Sequence, residues 1–92
     1  PKGRGFEELH STISSARLDC VVASFTHSSR EKADCLIKSG NVSMNYEIVL
    51  SGSTKVLPNH ILSIKGYGKY CVDQIGPPTK KGRLKLLARR YQ

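Results

Sequence analysis

The chain predicts an α+β fold, two short helices packed on a small, mainly antiparallel β-sheet, and three observations predict it. Between residues 16 and 38 the apolar side chains recur at helical spacing. At Gly40 that period gives way to the alternation expected of strands. From there to residue 91, short apolar segments are separated by Gly, Pro and Asn, the punctuation of hairpins. Ninety-two residues suit one domain.

Residues 1–13 are read as an N-terminal extended segment: a loose KGRG stretch, then FEELHSTIS, where Phe6, Leu9 and Ile13 match neither helical spacing nor strict alternation. Residues 14–92 form the domain proper. The first helix is expected from about Ala16 to Phe25, because Leu18, Val21, Val22 and Phe25 follow the i, i+3, i+4, i+7 rule. Ser14 or Ser15 can cap it, and Asp19 stands in the first turn, where the helix dipole favours an acid. Thr26-His27-Ser28 breaks the pattern. The second helix opens on Ser28 and Glu31, which have the spacing of a capping box, and carries Ala33, Leu36 and Ile37 on its inner stripe. Gly40 suits the left-handed position after its last turn.

Val42 and Met44 then alternate, Asn45-Tyr46 marks a turn, and Ile48 to Leu50 returns as a second strand. ILSIK, residues 61–65, follows the Pro58-Asn59 turn as another strand, and KYCVDQI continues extended after Gly66-Tyr67-Gly68. Residues 76–82, GPPTKKG, read as a turn or loop. RLKLLARRY, residues 83–91, alternates imperfectly and leaves strand and helix open; the turn before it favours a hairpin partner.

The net charge of +8 is unevenly placed. Residues 1–50 hold six basic and six acidic side chains, whereas residues 51–92 hold nine basic side chains against one acid, Asp73. A basic half favours a polyanionic partner such as nucleic acid. No lipidation motif, long basic amphipathic helix or membrane-length apolar run supports a membrane partner, and no secretory signal pattern opens the chain. Opening on Pro1 rather than Met, it is expected to be part of a longer chain. Cys20, Cys35 and Cys71 are odd in number and lack close ligand pairs, so a reduced location (cytoplasm, or an organellar stroma or matrix) is expected, with no metal and no cofactor. The two helical cysteines are expected to be partly buried. His10, His27 and His60 lie far apart, without paired carboxylates or a Ser/His/Asp order around them, so no catalytic constellation is expected.

Several residues are candidates for binding. Arg30 and Lys38 point about 80° apart on a helix and can reach one ligand surface. Lys80, Lys81 and Arg83 flank a turn from which long side chains can follow a phosphate backbone. In Gly66-Tyr67-Gly68-Lys69-Tyr70, glycines let the backbone approach a phosphate and Tyr67, between Lys65 and Lys69, can stack on an unpaired base. Tyr70 is read as packed on the sheet.

RLD at 17–19, SR at 29–30, Ala33, LIK at 36–38, Gly40, Val42 and Asn45, in the order helix, turn, helix, Gly and V-x-x-N, resemble the S4-type RNA-binding domain. The resemblance implies a non-catalytic module that presents two helices and a hairpin to structured RNA, its face including Arg17, Ser29, Arg30, Lys32, Lys38 and Asn45. Glu31 and Asp34 depart from it by adding acid beside Arg30 and Lys38, which shifts weight onto the basic second half. ISSARLD, IKGYGKY and KKGRLKL–RRY further resemble the YlmH-type proteins of bacteria and their photosynthetic relatives, in which such a domain closes a longer chain. That implies ribosome-associated binding of ribosomal or transfer RNA, in a family tied to nascent-chain quality control; the chain is expected to be a monomer. Two rivals are an RNA-holding appendage of an RNA-modifying enzyme or tRNA synthetase, and a helix-turn-helix DNA binder, against which Glu31 and Asp34 on the second helix count.

Overall fold

A computed structural model describes residues 6–91; the KGRG stretch at 2–5 lies outside them. The elements are β1 (Phe6–Ile13), α1 (Leu18–Thr26), α2 (Arg30–Lys38), β2 (Val42–Met44), β3 (Glu47–Ile48), β4 (Ile61–Ile64), β5 (Gly68–Pro78) and β6 (Leu84–Tyr91). All six strands join one sheet in the order β1-β6-β5-β4-β2-β3, and every pairing is antiparallel. The α+β expectation therefore stands, and residues 84–91 are a strand.

The N-terminal extended segment is an edge strand, paired with β6 from Phe6↔Tyr91 to Ile13↔Leu84. Only Ile13 of it is buried, which is why its apolar residues did not need to alternate. Both helices pack on one face of the sheet. Phe25 of α1 stacks on Tyr70 of β5, ring centroids 4.4 Å apart and nearly parallel. Leu18, Ile37, Leu62, Ile64 and Leu86 are fully enclosed between them, each contributing roughly 1.5–3 kcal/mol by burial.

Local details differ from the sequence reading. The first helix begins at Leu18, and its N-cap Arg17 makes no side-chain capping bond. Ser14 and Ser15 instead lie against the Cys20 sulfur, at 3.5 and 3.6 Å. The amides of Leu18 and Asp19 are satisfied by the carbonyls of Thr54 and Gly52, so a distant segment does the work assigned to a cap. The helix buries seven of its nine residues, Asp19 among them, rather than a single stripe.

The second helix is capped one residue later than expected. Ser29, not Ser28, accepts from the Lys32 N–H at 3.1 Å, while the Ser28 hydroxyl pairs with Thr26. Its end follows the expectation: Gly40, at φ +79°, donates to Ile37 O, and Asn41 donates to Leu36 O, a Schellman closure. Cys35 is exposed, unlike Cys20, so only one helical cysteine packs as an apolar residue; all three thiols are free.

The β2–β3 turn puts Asn45 at φ 52° and Tyr46 at φ 69°, the paired left-handed geometry of a tight hairpin. The strand expected over Ile48 to Leu50 is shorter and earlier, Glu47–Ile48. Strand β5 runs through Gly76 to Pro78, with register shifts after Val72 and Ile75, so the turn expected over 76–82 is confined to 79–83. Thr79 and Arg83 close it, the Thr79 N–H donating to Arg83 O at 2.6 Å.

Candidate nucleic-acid interface

Asp19 organises the basic residues around the helices. Its carboxylate is almost enclosed, yet receives Arg17 Nε and Nη2 at 3.2 and 3.1 Å and Arg30 Nη2 at 3.5 Å. Burial pushes this carboxyl up, but the hydrogen bond and charge of Arg17, with the charge of Arg30, outweigh it and hold the group below the usual carboxylate range. Arg17 approaches from the residue before α1 and Arg30 from the first turn of α2, and both arginine side chains remain about half exposed. One acid thus fixes two outward-facing cations across the helix pair.

Lys38 is held differently. It pairs with Asp34 one turn earlier at 2.9 Å, a hydrogen bond that raises the pKa of its ammonium. Arg17, Arg30 and Lys38 line one shallow depression together with three acids, Asp19, Glu31 and Asp34, and the loop Leu50–Ser53. The helical spacing that placed Arg30 and Lys38 near each other is realised here. Gly52 closes the floor: a Cβ there would meet Asp34 Oδ1 at 2.7 Å and Asp19 Cβ at 3.1 Å, so a larger residue makes the Asp34 carboxylate move and crowds Asp19.

Arg30 also lines a second cleft between β1 and α1, about 590 Å³, which it shares with His27, Glu8 and Arg83. Arg83 is anchored to β1, its guanidinium donating to Thr12 Oγ1 at 3.2 Å and to Thr12 O at 3.1 Å. Lys80 and Lys81 are exposed in the adjoining turn. The depression on the helices and the basic hairpin tip are therefore joined through Arg30.

The remaining candidates lie elsewhere or are occupied. The Ser29 hydroxyl caps α2, and Lys32 is exposed on α2 without lining the depression. The Asn45 side chain accepts from the Ile61 N–H at 3.0 Å, while its own N–H donates to Ile61 O, so it fastens the β2–β3 turn to β4. Lys65 and Lys69 line a separate groove with Ser43 and Ser63, the Ser43–Ser63–Lys69 register lying on the sheet face away from the helices. Tyr67 packs partly against the core and its carbonyl accepts from Arg90 at 3.0 Å; Tyr70 is buried, as expected. Sequence reasoning missed Asp19 as the organiser of two arginines, having read it as a dipole partner, because its second contact crosses from one helix to the other. It missed Gly52 too, whose need for space arises only from the folded loop.

Among the described residues no three His, Cys, Asp or Glu side chains group to hold a metal ion, and no helix is long and apolar enough to cross a membrane. The fold and site define an α+β domain with cations tied in place along one side of a helix pair and a hairpin. No family model matches the chain. Over 81 residues, 88% of its length, it is 38% identical to the ribosome-associated protein quality control protein P2 of Bacillus subtilis (strain 168), and it spans 32% of that protein's length.

Proposed function

We propose that the chain binds structured RNA, ribosomal or transfer RNA on the ribosome, and catalyses nothing. In this reading α1, α2 and the β2–β3 hairpin form an S4-type module, and the RNA backbone runs from Lys38 past Arg17 and Arg30 to Arg83 and the Lys80–Lys81 turn. The observation that carries it is the position of Arg30 in both the helical depression and the β1–α1 cleft, which lets its guanidinium link the cations of the two. Phosphates are met by pre-positioned guanidinium groups, whose planar donors suit them. The name of the Bacillus subtilis relative, a ribosome-associated protein, supports this setting.

The test is binding of a folded RNA hairpin and of duplex DNA of matching sequence at equal salt, for the unaltered chain and for Arg30→Gln. Glutamine removes the charge without placing an acid beside Asp19. Preference for the RNA, weakened about tenfold or more by Arg30→Gln, is expected for loss of a charge-assisted hydrogen bond. Equal or tighter binding of the DNA would favour the DNA-binding rival, and an unchanged RNA affinity would remove Arg30 from the interface.

A further inference from the structure

The sheet face turned away from the helices carries a row of exposed aromatic side chains that the basic track does not use. Phe6 of β1 is paired with Tyr91 of β6, and their rings meet edge to face at 5.2 Å. On β5, Lys69 projects to the same side, since its neighbour Tyr70 faces the helices. Its ammonium lies 5.6 Å from the centre of the Tyr91 ring and 5.3 Å from that of Tyr46, in the β2–β3 turn. The row thus crosses the sheet in the order Phe6, Tyr91, Lys69, Tyr46. Tyr46 is 70% exposed and Phe6 51%.

The chemistry of the row identifies its occupant. Among the described residues Lys69 forms no ion pair, and Lys65 stands beside it in the groove lined by Ser43 and Ser63. An apolar protein surface laid over Lys69 would have to strip water from an ammonium that has no counter-ion, a cost the two tyrosine rings offset only in part. A nucleic-acid strand meets both requirements at once: bases have flat faces that stack on tyrosine and phenylalanine, and the phosphate between them offers the missing counter-charge. A base inside a duplex has no free face, so the strand must be unpaired. Arg89 lies over Phe6 at 4.6 Å but is already neutralised by Asp73 at 2.9 Å, which leaves Lys69 and Lys65 as the phosphate-facing groups.

We propose that this sheet face is a second nucleic-acid site, which takes a short unpaired RNA segment by stacking bases on Tyr46 and Tyr91 with a phosphate on Lys69. It goes beyond the helical track, and either site can fail without the other.

Binding of short oligoadenylate and oligouridylate to the chain, followed by fluorescence anisotropy and by the NMR signals of the aromatic rings, tests it. Tyr46→Ala and Tyr91→Ala should each weaken binding by about 5- to 100-fold, the range of one base–aromatic stack, while Tyr46→Phe and Tyr91→Phe retain it. Lys69→Gln should weaken binding and lower its salt dependence. Arg30→Gln should leave it unchanged. In the unaltered chain the ring signals of Tyr46, Tyr91 and Phe6 should shift on adding the oligonucleotide, while those of enclosed Tyr70 stay. No measurable binding, alanine variants that bind as well as the unaltered chain, or shifts gathered on α2 instead would each overturn the proposal, the last while leaving the helical track intact.

Discussion

Asp19 Oδ2 holds Arg30 Nη2 at 3.5 Å across the gap between the two helices, while the same carboxylate carries Arg17. An acid at a surface meant for phosphate would ordinarily repel it. Here the acid is nearly enclosed and the cations it steers are the exposed partners. Asp19→Asn therefore distinguishes two physical pictures. If net charge alone governs binding, removing the acid tightens it; if placement of the arginines governs, binding weakens. Weakening of structured-RNA affinity by about fivefold, or about 1 kcal/mol, is expected, with a stability loss of similar size because the half-exposed arginines regain water. RNA titration and urea unfolding of the variant measure the two.

The same carboxyl sets an acid limit on stability. Its folded pKa is held down, so its contribution is fully present above the unfolded value, about 3.9, and is lost as pH falls through the lower folded value. Melting temperature should thus decline below about pH 4, and Asp19→Asn should make that decline shallower. Thermal melts from acidic to neutral pH on both proteins give the comparison; parallel curves would mean that other carboxyls dominate.

Asn45 is expected to act on stability before it acts on RNA. Its φ of 52° suits Asn or Gly, and its Oδ1 satisfies the Ile61 amide. Asn45→Ala loses both and should cost about 1–3 kcal/mol. Asn45→Gly regains the turn geometry but not the bond, and should fall between. A melting temperature unchanged in Asn45→Ala would show that the turn does not depend on this side chain.

Much of this fold could be read from the residues, and the losses have a common cause. Leu18, Val21, Val22 and Phe25 encode a helix through their own spacing, and Gly40 encodes its partner's end, because both signals are local. The cap of α1 was not legible, since its acceptors are the carbonyls of Gly52 and Thr54, contributed by a loop whose arrival no local pattern announces. The site divides in the same way. Arg30 and Lys38 were placed together by helix geometry alone. Lys65 and Lys69 read as part of one basic half, yet sheet register puts Lys69 on the opposite face from the helices. Phe6, Tyr46 and Tyr91 converge only through that register, and no spacing in the chain links them.

The hairpin tip gives a prediction about salt. With about five phosphates neutralised along the track, the logarithm of RNA affinity should fall with the logarithm of salt at a slope near −3.5 to −4.5. Lys80→Ala with Lys81→Ala should lower affinity for different folded RNAs by similar factors and flatten the slope by about one for each phosphate no longer neutralised. Both side chains are exposed, so melting should not change. Selective weakening for one RNA would mean that the turn reads shape or sequence.

The bonds from Leu18 and Asp19 to Thr54 and Gly52, with the Val56 N–H donating to Ala16 O, make the start of the first helix depend on chain that is synthesised much later. Helix ends ordinarily fray, and their amides exchange with solvent through small local openings. These amides cannot do so without releasing the loop that also lies over Asp19 and Asp34. Deuterium should therefore enter Leu18 and Asp19 only through openings that release this loop, and more slowly than at a frayed helix end. A ribosome that had released the chain only as far as β3 would hold a helix whose first turn is still waiting for its partners.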